Sequence, residues 1–239
     1  MRGFFRMEGP VFEFLNRMAD LIILNIMFLI CCLPVVTIGP ALCALSYSTL
    51  KISGKQEGYA WKNFLKAFRD NFRQGLVLGL IMLFFAAILY VDFSLIRLQA
   101  DPFRQVMMFL VLLGTLVWLL VFVYLFPLQA KFANTITGTI RNALLLSVAN
   151  LPRTMLLIGM IIAAVVITFW NGMTFIWGIL AWMLIGFALL SYLNSIVIWP
   201  IFEKLIPPEE KEEEEEIQEE TQEEIQEKKQ EELQNNTEK

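Results

Sequence analysis

At 239 residues the chain has room for one or two soluble domains, but 57% of it is apolar, including 20 Phe and 6 Trp, against roughly 45–50% in a soluble domain. The net charge of −4 hides a division: residues 209–239 hold fifteen Glu against four Lys, whereas residues 1–208 are net basic. An ordinary soluble protein is excluded, and the overall acidity points to no partner and to no nucleic acid.

Residues 1–20 mix Glu8, Glu13 and Asp20 with Arg2, Arg6 and Arg17. The apolar run begins late and no small-residue cleavage site follows it, so this reads as a retained, amphipathic interfacial segment rather than a signal peptide. A membrane domain follows over residues 21–206. A bilayer core of about 30 Å needs about 20 apolar residues at 1.5 Å rise each. Helices are expected at about 21–40, 75–91, 106–126, 154–170 and 173–199, an all-α polytopic bundle with about five transmembrane helices. Asn25 is the one strongly polar residue of the first. Pro34, Gly39 and Pro40 form a helix break at its end, because proline lacks an amide hydrogen and disfavours helix in the residue before it. Residues 33–50 remain open between a loop, a re-entrant turn covered by protein and a further crossing. Cys31, Cys32 and Cys43 lack metal-ligand spacing and read as small packing residues. Asn171-Gly172 makes a tight turn between the last two helices.

The segment Tyr59 to Arg73 is the best-defined local feature. Trp61, Phe64, Leu65, Phe68 and Phe72 share one helical face, and Lys62, Lys66, Arg69 and Arg73 the other. Such a basic amphipathic helix suits the inner headgroup region. It either fixes topology alone or, through Trp61, Lys62, Lys66, Arg69 and Arg73, docks a cytoplasmic partner or anionic lipid. Gly75 and Gly79 form a GxxxG, expected to pack within the chain, with a homodimer contact as the alternative. Oligomeric state stays open.

Basic residues concentrate in the loops after the first and third helices and just after the fifth. The positive-inside rule therefore places the C-terminus in the cytoplasm and, with five crossings, the N-terminus outside. The loops also repeat: Trp61-Lys62-Asn63 matches Ile140-Arg141-Asn142, and at the same offset Leu65, Asn71 and Phe72 match Leu144, Asn150 and Leu151. With Pro40 set against Pro127 across a short gap, this suggests a parallel repeat of two broken hairpins, with any site between them.

Enzyme readings find no support. The sequence has no histidine, the commonest general base and metal ligand, and no nucleotide-binding or hydrolase motif. We expect no catalytic residues, no metal site and no cofactor. The interior of the spans lacks ionisable side chains, which argues against a proton-coupled pump. The tail over residues 207–239 is too polar and self-repelling for a packed structure, and is expected to be disordered or partly helical. It either keeps the chain solvated or neutralises the basic inner face.

The stretch Cys31-Cys32-Leu33-Pro34-Val35-Val36-Thr37-Ile38-Gly39-Pro40-Ala41-Leu42, followed by Gly58-Tyr59 and the elbow from Trp61 to Arg73, resembles the YesL family, a bacterial membrane family built on a domain of unknown function (number 624). The resemblance covers about residues 1–206 and leaves the acidic tail outside. Members occur mostly in Gram-positive bacteria, often encoded beside genes for carbohydrate ABC transporters and polysaccharide degradation. The resemblance implies a place in the bacterial cytoplasmic membrane and a link to sugar uptake, with membrane lipids and ABC-transporter subunits as partners. It carries over no site residue. The leading expectation is a non-enzymatic accessory protein of a carbohydrate importer. The alternative is a small carrier of solutes or lipids acting alone.

Overall fold

The computed structural model describes residues 10–54, 56, 58–96, 103–132 and 134–206, with side chains from Phe14 onward. Residues 1–9, including Arg2, Arg6 and Glu8, and the acidic tail lie outside the described residues. Among the described residues every regular element is helical: α1 (Pro10–Cys31), α2 (Ile38–Ser53) after a short 3-10 turn, α3 (Ala60–Asp70), α4 (Phe72–Ile96), α5 (Phe103–Lys131), α6 (Ile136–Ala149), α7 (Leu151–Thr168), α8 (Gly172–Ala181) and α9 (Phe187–Phe202). A π-helical turn, Trp182–Gly186, joins α8 to α9 without interruption.

Six of these stretches are long and apolar enough to cross a membrane, one more than the sequence reading places. The addition is Val35–Ser53, within the segment left open above. Pro40 does not break it. It occupies the first turn of α2, where its missing amide hydrogen would have had no intrahelical partner. The helix is also the least lipid-like of the six, with 56% of its residues buried inside the protein against 6–22% elsewhere. Gly39, Ala41, Cys43, Ala44, Ser46, Ser48 and Thr49 are all buried. It packs against α1, α3, α4, α5 and α9, so its surface meets protein and needs no long apolar chains. Thr49 Oγ1 pairs with Ser191 Oγ at 2.9 Å and Ser195 Oγ at 2.8 Å, the hydroxyl bonding that joins helices where lipid offers no competing partner.

Gly75 and Gly79 serve the interior. A Cβ on Gly39 would lie 2.1 Å from the Gly75 carbonyl oxygen and 2.9 Å from Gly79 Cα. The GxxxG of α4 therefore seats the start of α2, as internal packing requires.

That contact also sets the height of the turn between α1 and α2. Val35, Val36 and Gly39 share a cavity wall with Gly79, Leu83, Ala86 and Trp118. From Gly79, α4 continues to Ile96 for about 25 Å, and α5 starts at Phe103 about 22 Å before Trp118, at 1.5 Å per residue. Those upper halves present exposed Phe84, Phe85, Tyr90, Val106, Phe109 and Leu112, an apolar surface of the kind that faces lipid. A hydrocarbon core of about 30 Å measured down from Asp92 ends near Phe72. The tip of the α1–α2 hairpin thus stands beside the middle of the α4–α5 hairpin.

The repeat is present, and its two copies share details of hydrogen bonding. In each, a helix is followed by an elbow helix packed back against it (α3 on α2, α6 on α5), an Asn break and a long apolar helix (α4, α7). Asn71 Nδ2 donates to the Ala67 carbonyl at 3.1 Å, and Asn150 Nδ2 to that of Leu146 at 3.2 Å. The following helices open with Gly75 N–H on Asn71 O, 2.8 Å, and Thr154 N–H on Asn150 O, 2.9 Å. The proline pairing does not hold: Pro40 begins α2, whereas Pro127 lies near the end of α5.

Candidate functional site

A large recess opens where the two repeats meet. Its walls are the end of α3, Asn71, the start of α4, the end of α5 and the connection to α6, and it encloses about 1290 Å³. Among the described residues four cations line it, Lys66, Arg69, Arg73 and Lys131, with Asp70 as the one carboxylate. Tyr47, Phe68, Phe72 and Phe132 supply aromatic surface between them.

The amphipathic pattern of α3 explains the placement. Ala60, Phe64 and Ala67 are buried in a cluster with Leu21, Leu24, Ala41, Ala44 and Leu45 of α1 and α2. This fixes the rotation of α3 and leaves Lys66 and Arg69 exposed on the opposite side. The Asn71 break then turns the chain into α4 so that Arg73 and Gln74 face the same recess.

The floor is a hydrogen-bonded chain of uncharged side chains. Thr139 Oγ1 donates to Gln129 Oε1 at 2.9 Å, and Gln129 Nε2 donates to Gln74 Oε1 and, at 3.5 Å, to Asn71 Oδ1. Gln129 and Thr139 are buried. Gln129, near the end of α5, thereby ties the second repeat to the Asn break of the first, and a satisfied buried network of this kind holds its members rigidly. The outcome is an open, cationic basin with a hydrogen-bonded floor and aromatic sides, a geometry suited by charge to carboxylates or phosphates, with bidentate options through two arginines.

Of the five residues predicted for docking, the structure brings Lys66, Arg69 and Arg73 together in the basin. Trp61 and Lys62 lie earlier on α3, outside it. There Lys62 Nζ sits over the Tyr59 ring at 4.7 Å and the Trp61 ring at 5.6 Å. Pro34, Gly39 and Pro40 belong to the hairpin tip and the α2–α4 contact. Sequence reasoning missed Lys131, Gln74 and Gln129. Their one sequence signal was the Asn71 match to Asn150, which marks the break beside which Gln129 lands. Among the described residues no group of three Cys, Asp or Glu side chains is arranged to hold a metal ion.

A family model described as a protein of unknown function, DUF624, matches residues 21–93. That stretch is similar to DUF624. The resemblance to the YesL family, carried by Cys31–Leu42 and the elbow, falls inside that stretch and is consistent with it. The DUF624 match begins within α1 and ends within α4, so it takes in the hairpin tip, α2, the elbow and the Asn71 break, and three of the four basin cations. No curated protein and no solved structure matches the chain.

Proposed function

We propose that this membrane protein is a non-enzymatic accessory component of a carbohydrate importer of the ABC type in the bacterial cytoplasmic membrane, and that the basin receives an acidic segment of the importer. The observation that carries the docking role is the basin itself: among the described residues, four cations and one carboxylate around a hydrogen-bonded polar floor. The link to sugar uptake rests on the YesL resemblance. A carrier acting alone is less well supported. The cavity between α2, α4 and α5 and that between α4, α5 and α6 are walled by apolar side chains, and that between α2, α5 and α9 adds only Ser46, Ser191, Asn194 and Ser195.

Reversing two charges separates docking from folding. Arg69→Glu combined with Arg73→Glu alters exposed side chains, so the protein should insert and migrate on size exclusion as before. Capture of transporter subunits from native membranes should fall by about tenfold or more, as expected when like charges face each other across an interface. Equal capture by both proteins, or unchanged sugar uptake after deletion of the gene, would remove the support for this function.

In the same reading α1–α2 is a re-entrant hairpin entering from the cytoplasm, and both ends of the helical body face inward. This replaces the outside N-terminus expected from five crossings. It moves Arg2, Arg6 and Arg17 to the side of the basic loops and leaves only Arg97 and Arg104 opposite, a stronger positive-inside bias. Labelling of intact cells with a membrane-impermeant maleimide provides the check, in a chain whose three cysteines are replaced by alanine. Trp170→Cys, in the turn between α7 and α8, should react, and Val36→Cys, at the hairpin tip, should stay silent. Comparable reaction at both would mean that α1 and α2 each cross fully.

A further inference from the structure

The acidic tail and the basic basin belong to one chain, and the structure brings the root of the first to the edge of the second. Phe202, the last residue of α9, packs its ring edge-on against Phe132 of the basin wall, with centroids 5.3 Å apart. One turn earlier, the Trp199 ring lies under Lys131 Nζ, 5.7 Å from its centroid. Described chain continues to Ile206, and the run from Glu209 to Glu216 holds seven glutamates. Ten residues beyond Ile206 extend at most about 35 Å, enough to carry that run across the recess.

We infer that the segment Glu209–Glu224 of the chain's own tail occupies the basin and competes there with any other anionic ligand, an inference that rests on the basin being a docking face. Residues 209–239 carry fifteen Glu against four Lys, a net −11, facing Lys66, Arg69, Arg73 and Lys131. Tethering replaces a bimolecular encounter by an effective concentration on the order of millimolar. Weak carboxylate contacts then suffice to keep the site filled, while a partner of higher affinity displaces the tail. Such an association is electrostatic, so it weakens as the Debye length shrinks from about 8 Å at physiological salt to about 3 Å at 1 M.

The test uses the full chain in phosphatidylcholine nanodiscs with a zero-length carbodiimide that joins lysine amines to carboxylates, read by mass spectrometry. Links from Lys66 and Lys131 to Glu209–Glu224 are expected, formed within one molecule when labelled and unlabelled protein are mixed, and lost at 1 M salt. A second arm adds a synthetic peptide of residues 209–226 to the full chain and to a chain ending at Pro208. The shortened chain should bind the peptide about tenfold or more tightly than the full chain, whose tail already competes in cis. The inference is overturned by tail links spread evenly over Lys51, Lys55 and Lys62, by links between molecules only, by equal peptide binding to both chains, or by a shortened chain that binds vesicles containing phosphatidylglycerol but not the peptide. Neither arm involves the importer. Tail occupancy without subunit capture would therefore overturn the docking function and leave this inference standing, and capture without tail links would do the reverse.

Discussion

Gly39→Leu should abolish the folded protein. The substitution asks for a side chain where the Gly75 carbonyl oxygen lies 2.1 Å from the ideal Cβ position and the Gly79 Cα 2.9 Å away. Both obstacles are backbone, so no rotamer change relieves them. The helices must separate, and separation breaks the contact that holds the hairpin tip beside α4. From the other side, a Cβ on Gly75 would lie 3.0 Å from Pro40 Cα and 3.3 Å from Cys43 Sγ. Ordinary overpacking of a core costs about 1–3 kcal/mol, and a clash that only helix displacement relieves belongs above that range. Gly159→Leu is the control, since nothing lies within 4 Å of a Cβ there. Fluorescence-detected size exclusion after mild heating should show a monodisperse peak for the wild type and Gly159→Leu, and aggregate or loss for Gly39→Leu. A monodisperse, heat-resistant Gly39→Leu protein would mean that α2 and α4 are not packed in this way.

The same pair of helices shows what a sequence reveals of a membrane fold and what it conceals. Helices α4, α5, α7 and the α8–α9 run are legible because most of their residues face lipid, and hydropathy reports lipid contact. Helix α2 is surrounded by protein, so small and hydroxyl-bearing residues replace long apolar ones and the signal fades where burial is greatest. Its Gly39 and Pro40 then read as part of the break at Pro34, although Gly39 permits a close approach and Pro40 lies in the first turn of the helix. The elbow was legible, since its 3.6-residue period is local and alone places Lys66 and Arg69 on one face. Lys131 and Gln129 were not, because they become neighbours of Arg73 and Gln74 only after the two repeats dock, a contact between positions more than fifty residues apart. The parallel repeat, visible at its Asn breaks, was the nearest sequence hint that such docking occurs. The outside N-terminus expected from the sequence rests on counting α1 and α2 as one crossing, so the reading of that single turn decides on which side the chain begins.

Asn25→Leu should be the next most damaging change, and its effect should be located at the far end of the chain. Asn25 is fully buried. Its Nδ2 donates to the carbonyls of Trp182 at 3.1 Å and Met183 at 2.8 Å, and its Oδ1 accepts from Ala188 N–H at 3.1 Å. Those three backbone groups lie in and just after the π-helical turn Trp182–Gly186. A π turn inserts a residue into the helical ladder and leaves groups there without their usual partners. In lipid, an unpaired backbone group has no water to turn to. One amide from α1 thus completes a defect in the last span, which accounts for a strongly polar residue in the apolar stretch 21–31 of α1. Leucine keeps the volume roughly and removes all three bonds. Buried unsatisfied groups cost about 1–3 kcal/mol each, but hydrogen bonds between membrane helices average nearer 0.6 kcal/mol, so a combined loss of about 2–4 kcal/mol is expected. Deleting Leu184 closes the π turn into an ordinary α ladder, which pairs the backbone groups within the helix and takes them from Asn25. That deletion should destabilise the wild type, yet cost much less in the Asn25→Leu background, where the π turn has already lost its partner. A cycle of the four proteins, unfolded in mixed micelles, measures the coupling. Strict additivity of the two changes would show that Asn25 does not sustain the π turn.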